Sequence, residues 1–79
     1  MDIKVLGPGC ARCKQLEQQV YNVLAEMDVA ANVEKVEDIQ KIISYRVMST
    51  PALVVNGKVK VAGSVPPPDR IRKLIEEEL

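Results

Sequence analysis

The sequence predicts an α/β fold of order β-α-β-α-β-β-α, with a four-stranded mixed sheet flanked by three helices. Three observations carry it. Short apolar runs at Ile3 to Leu6 and Ala52 to Val55, the alternating Val59 and Val61, and the pair Val33 and Val36 have strand character. Apolar residues at helical spacing fill the stretches after Cys13, Asp38 and Pro68. Val54-Val55-Asn56-Gly57-Lys58-Val59 is a hairpin signal, because Asn-Gly accepts the positive φ angles of a type I′ turn. A whole helix between the first two strands implies parallel pairing through a right-handed crossover, whereas the hairpin pairs the last two strands antiparallel.

In chain order, Ile3 to Leu6 is interrupted by Lys4 and ended by the turn formers Gly7-Pro8-Gly9. Lys4 is expected near the end of its strand or snorkelling to an open edge. From Cys13, the residues Leu16, Val20, Val23, Leu24 and Met27 recur at steps of three and four, which gives an amphipathic helix of about four turns. Lys14, Gln15, Glu17, Gln18 and Asn22 make its polar side. Asp28 to Asn32 loosens the helix, and Val33 with Val36 supplies the second strand. Asp38 caps a short second helix that turns Ile39, Ile42 and Ile43 inward and ends near Tyr45 or Arg46.

Pro51 has no backbone donor, which suits the first residue of the strand that continues through Ala52 to Val55. In the last strand Val59 and Val61 alternate with Lys58 and Lys60, leaving it half exposed with lysines that discourage edge-to-edge aggregation. Gly63 ends it. Pro66-Pro67-Pro68-Asp69 sets a stiff turn, with Pro68 near the first helical position and Asp69 complementing the helix dipole. Ile71, Leu74, Ile75 and Leu79 form the buried stripe of the final helix.

Seventy-nine residues are read as one domain, 1–79, with a small core. Phe, Trp and His are absent, so aliphatic side chains build the core and no imidazole can serve as acid, base or metal ligand. Eleven basic and eleven acidic residues balance, scattered apart from Glu76-Glu77-Glu78, which leaves no electrostatic footprint for nucleic acid. Met1-Asp2-Ile3-Lys4 enters a strand without the apolar region of a signal peptide, and no segment reaches the length of a membrane span. The chain is therefore read as cytoplasmic, where a cysteine pair is more often redox-active or metal-binding than a permanent cross-link.

Both cysteines stand in Gly7-Pro8-Gly9-Cys10-Ala11-Arg12-Cys13, at the junction of a strand and a helix. A thiol at the first turn faces backbone N–H groups without intrahelical partners, and the helix dipole favours its ionised, reactive form. Two residues three apart on a helical turn have Cα atoms about 5–6 Å apart, within the range of a disulfide. As a staple the pair is poorly placed: a four-residue loop gives roughly 2 kcal/mol in the chain-entropy model, against about 3 for fifteen residues. Cys13 falls on the apolar stripe and Cys10 precedes it at the cap, so Cys10 is expected exposed and Cys13 shielded. Arg12 either favours the thiolate through its charge or stands as a solvated arginine at the helix start.

Four features together resemble the thioredoxin-like superfamily, most closely its small redox-active disulfide members from archaea and bacteria. They are Gly9-Cys10-Ala11-Arg12-Cys13 after the first strand, Ser49-Thr50-Pro51 before the third, the Asn56-Gly57 hairpin, and Gly63 before the last helix. The resemblance spans essentially the whole chain. It implies a thiol-disulfide oxidoreductase that needs no cofactor, with Cys10 as attacking thiol and Cys13 as resolving thiol. It further implies a cis Thr50–Pro51 bond and a substrate groove lined by Thr50, Pro51 and Gly63; Arg12 is no part of that pattern and is a substrate-binding candidate by its charge, which could select an acidic partner. The implied partners are disulfide-bearing proteins and a thioredoxin-reductase-type electron donor, met by a monomer. The chain departs from the common pattern in lacking the active-site tryptophan, in carrying Ala11-Arg12 between its cysteines, and in placing Arg46 where small members often have glycine. It also shows no counterpart of the buried acid that aids proton transfer in ordinary thioredoxins.

Two other readings share parts of this pattern. Small copper chaperones also place Cys-x-x-Cys between a first strand and helix, and soft thiolates select Cu(I) or zinc. Their usual β-α-β-β-α-β order differs from this one, and closed zinc coordination needs four ligands where one chain offers two thiols. Glutaredoxin-type chemistry with glutathione usually goes with Pro-Tyr or Pro-Phe between the cysteines.

Overall fold

The computed structural model describes all residues from Met1 to Leu79. The elements are β1 (Asp2–Leu6), α1 (Ala11–Met27), β2 (Asn32–Val36), α2 (Ile39–Ser44), β3 (Ala52–Val55), β4 (Lys58–Ala62) and α3 (Pro68–Glu76). The four strands form one sheet in the order β2-β1-β3-β4. β1 runs parallel to β2 and antiparallel to β3, and β3 pairs antiparallel with β4. The result is the expected four-stranded mixed sheet with three helices.

Strand alternation divides the apolar residues between two faces. Ile3 and Val5 of β1 and Leu53 and Val55 of β3 pack with Leu16, Val20, Val23 and Leu24 of α1 and Ile71, Leu74 and Ile75 of α3. On the opposite face, Leu6, Val36, Ala52 and Val54 pack with Ile42 of α2, covered further by Tyr45 and Val47. Local signals behave as their chemistry requires. The Asp38 carboxylate accepts from the Gln40 N–H at 2.9 Å and starts α2, Pro68 occupies the first turn of α3, and Asn56 and Gly57 turn the hairpin with φ of 51° and 81°.

Three expectations are corrected and one is narrowed. Lys4 sits mid-strand on the inner strand β1, opposite Glu34 and Val54, rather than near the strand's end, and its ammonium reaches toward the edge strand β2, 3.9 Å from a Glu34 carboxylate oxygen. Its stem crosses the less covered face, and its ammonium lies 5.9 Å from the centre of the Tyr45 ring. In α2 only Ile42 is buried, while Ile39 and Ile43 are 55% and 62% exposed, because this helix of six residues covers the sheet with a single row. Val59 and Val61 do not share a face: Leu53 pairs with Val61 and Val54 with Val59, so a bulge absorbs Lys60 and breaks the alternation. Leu79 lies beyond the end of α3 at Glu76 and is exposed, so the buried stripe stops at Ile75.

Candidate active site

The register brings the chemical residues to one end of the sheet. Leu6 pairs with both Val36 and Ala52, and Ala52 pairs with Ala62. The segments continuing from these positions are the Gly7–Cys10 turn, Glu37, the Thr50-Pro51 segment and Gly63, which therefore converge. The Gly7 N–H donates to Val36 O at 2.9 Å, and the Gly63 N–H donates to Pro51 O at 2.8 Å. These two bonds tie the turn to β2 and the proline to the end of β4.

Cys10 is the N-cap of α1, in extended backbone at ψ 166°. Its carbonyl accepts the Lys14 N–H at 3.1 Å, the first helical bond, and its Sγ accepts the Cys13 N–H at 3.2 Å. Cys10 and Cys13 form a disulfide with Cα atoms 5.1 Å apart. The two sulfurs see different surroundings: Cys13 is 3% exposed, whereas Cys10 is an exposed residue.

The opposite wall is the segment before β3. The Thr50–Pro51 peptide bond is cis and Pro51 is buried. Thr50 is half-buried, and its N–H and C=O form no backbone hydrogen bond within the chain. Gly63 adopts φ 84°, where a Cβ would be strained in itself and would also stand 2.8 Å from Ser49 Cβ. The space over Gly63 is thus bounded first by Ser49. Arg12 is exposed and pairs with no carboxylate. No polar or charged residue is buried anywhere in the chain. The Glu37 carboxylate stands beside the turn, its Oε2 3.1 Å from where a Gly9 Cβ would be.

Sequence reasoning named Gly7 and Ser49 only as members of motifs, and the structure gives each a contact at the site. Gly7 and Ser49 are hidden among turn and loop formers whose role depends on what packs against them.

The thioredoxin domain family matches residues 1–76. The chain belongs to this thioredoxin family. A thioredoxin of Methanothermobacter thermautotrophicus is 31% identical over 75 residues, covering 95% of this chain and 97% of that protein. Two thioredoxins of Methanocaldococcus jannaschii are also similar. One is 26% identical over 77 residues, covering 98% of this chain and 88% of the relative. The other is 34% identical over 61 residues, covering 73% and 72%. Together with the Cys10–Cys13 disulfide, the family membership makes this a thiol-disulfide oxidoreductase. It also sets aside the copper-chaperone and glutaredoxin readings. No group of three or more His, Cys, Asp or Glu side chains is assembled to hold a metal, and no helix is long and apolar enough to cross a membrane.

Proposed function

We propose that this thioredoxin-family chain reduces protein disulfides, with Cys10 as the attacking thiolate and Cys13 as the resolving one. The observation that carries the assignment is the unequal burial of a bonded pair: Cys10 is exposed and Cys13 is 3% exposed. Cys10 Sγ attacks one sulfur of the substrate disulfide, and the other substrate sulfur leaves as a thiolate that takes a proton. Cys13 Sγ then attacks Cys10 Sγ, forming the Cys10–Cys13 bond and releasing the second substrate thiolate. Two electrons pass from the dithiol to the substrate, and a reductase of the thioredoxin-reductase type restores the dithiol.

Thr50, Pro51, Gly63 and Arg12 are proposed to receive the substrate. Support comes from the unpaired backbone of Thr50, which offers one donor and one acceptor to an extended segment beside the disulfide. Arg12, without an ion-pair partner, favours an acidic residue near the substrate cysteine. The protein is proposed to act as a monomeric single domain in the cytoplasm.

Insulin reduction driven by dithiothreitol tests the assignment. Cys13→Ser is expected to accumulate a mixed disulfide with the substrate, and Cys10→Ser to abolish turnover. Turnover that survives in Cys10→Ser would overturn the role of Cys10.

A further inference from the structure

Gly7 has no place in the roles assigned above, yet any side chain there would meet both walls of the site. Its Cα is held where β1 and β2 end, by the bond from its N–H to Val36 O at 2.9 Å, and the residue is buried. A Cβ built there would overlap Cys13 Sγ, approach Cys13 Cβ at 3.1 Å and stand 3.8 Å from Thr50 Cβ. The smallest side chain therefore competes for the volume that the Cys13 sulfur fills in the disulfide.

We propose that Gly7 is a positioning residue that sets the redox equilibrium of the Cys10–Cys13 couple, by leaving free the space that Cys13 Sγ must occupy to be bonded to Cys10. The proposal rests on the thiol-disulfide exchange assigned above. In the disulfide, Cys13 Sγ is held by covalent geometry and cannot leave Gly7. In the dithiol the same sulfur can rotate to another staggered position about its Cα–Cβ bond. A methyl group at position 7 thus penalises the oxidised form more than the reduced one. The difference between those penalties equals the change in the reduction equilibrium, because folding and reduction close a thermodynamic cycle.

The resolving step is affected in the same direction. Cys13 thiolate attacks Cys10 Sγ, the bond from Cys10 to the partner breaks, and the partner sulfur leaves with the electron pair and takes a proton. The attacking sulfur must already lie close to its place in the disulfide, so crowding at position 7 slows this step and lengthens the life of the mixed disulfide.

The test compares wild type with Gly7→Ala in mixtures of reduced and oxidised glutathione, trapping thiols by alkylation and counting them by mass. Gly7→Ala is expected to shift the dithiol-to-disulfide ratio about tenfold toward the dithiol, which is about 30 mV for a two-electron couple. Its oxidised form should lose more thermal stability than its reduced form, and its mixed disulfide with glutathione should persist longer. An unchanged ratio with equal loss of stability in both redox forms would overturn the proposal and leave Gly7 a packing residue. If Gly7→Ala does not fold when oxidised, the same change is made in Cys13→Ala, where the sulfur is gone. There Gly7→Ala is expected to be tolerated, and failure to fold in that background as well would overturn the proposal. Failure of the oxidoreductase assignment would look different, since wild type itself would then not reduce insulin.

Discussion

The backbone N–H of Cys13 donates to Cys10 Sγ at 3.2 Å, so the atom that caps α1 is also the atom that forms the disulfide. Helix start and reactive group are thus one device, and the cap can be weighed separately from the chemistry. In the reduced protein, Cys10→Ser keeps an acceptor at the N-cap and Cys10→Ala removes it. Cys10→Ala is expected to be about 1 kcal/mol less stable than Cys10→Ser in urea unfolding under reducing conditions. Equal midpoints would show that the sulfur cap contributes nothing to α1.

Arg46 ends α2 in the left-handed region at φ 62°, with its N–H donating to Ile43 O at 2.8 Å. A residue with a Cβ is strained there by about 1–2 kcal/mol, and glycine is not. Arg46→Gly is expected to raise stability by about 1 kcal/mol despite its looser unfolded chain, whereas Arg46→Ala should gain nothing. Thermal unfolding of the two variants checks this, and an equal effect from both would mean that the backbone at 46 is unstrained.

The isoleucines of α2 separate burial from hydrophobicity. Ile42 is 4% exposed in the cluster with Leu6, Val36, Ala52 and Val54, while Ile43 beside it is 62% exposed. Ile42→Ala is expected to cost about 2–4 kcal/mol and Ile43→Ser less than about 0.5, measured by urea unfolding at fixed pH. A large loss in Ile43→Ser would place it in the core instead.

That contrast also shows where the sequence was legible. In α1 the apolar stripe runs for seventeen residues, long enough for its period to identify the inner face. The six residues of α2 hold less than two turns, so three isoleucines could not declare which one the sheet would cover. The hairpin turn was readable from Asn56-Gly57, but the bulge beside Lys60 was not, since an extra residue leaves the apolar alternation of Val59 and Val61 unchanged on paper while moving them to opposite faces. At the site, the spacing of Cys10 and Cys13 and the cap position conveyed the asymmetry of the pair. The contact of Gly7 with the Cys13 sulfur arises only when β1 and α1 are brought together.

The far end of β4 is fastened to the end of α3 by charge. Lys60 Nζ lies 2.8 Å from a Glu78 carboxylate oxygen and 3.1 Å from one of Glu77, and Lys58 Nζ lies 3.3 Å from Glu78. The lysines offset the unfavourable placement of a glutamate run at a helix C-terminus. The hydrogen bond from Lys60, aided by Lys58, holds the Glu78 carboxyl below the ordinary glutamate value. Its bonds to Glu78 and Glu77 hold the Lys60 ammonium above the ordinary lysine value. A depressed carboxyl stabilises the fold above its unfolded pKa and ceases to do so as pH falls through its folded one. A raised ammonium stabilises below its unfolded pKa and ceases as pH rises through its folded one. The contribution of the pair is therefore fully present across the neutral range and is lost at both extremes. Urea midpoints measured from acid to alkaline pH are expected to show both losses in wild type, with the acid loss smaller in Glu78→Gln and the alkaline loss smaller in Lys60→Met. Parallel profiles for wild type and both variants would show that the cluster is fully screened by water.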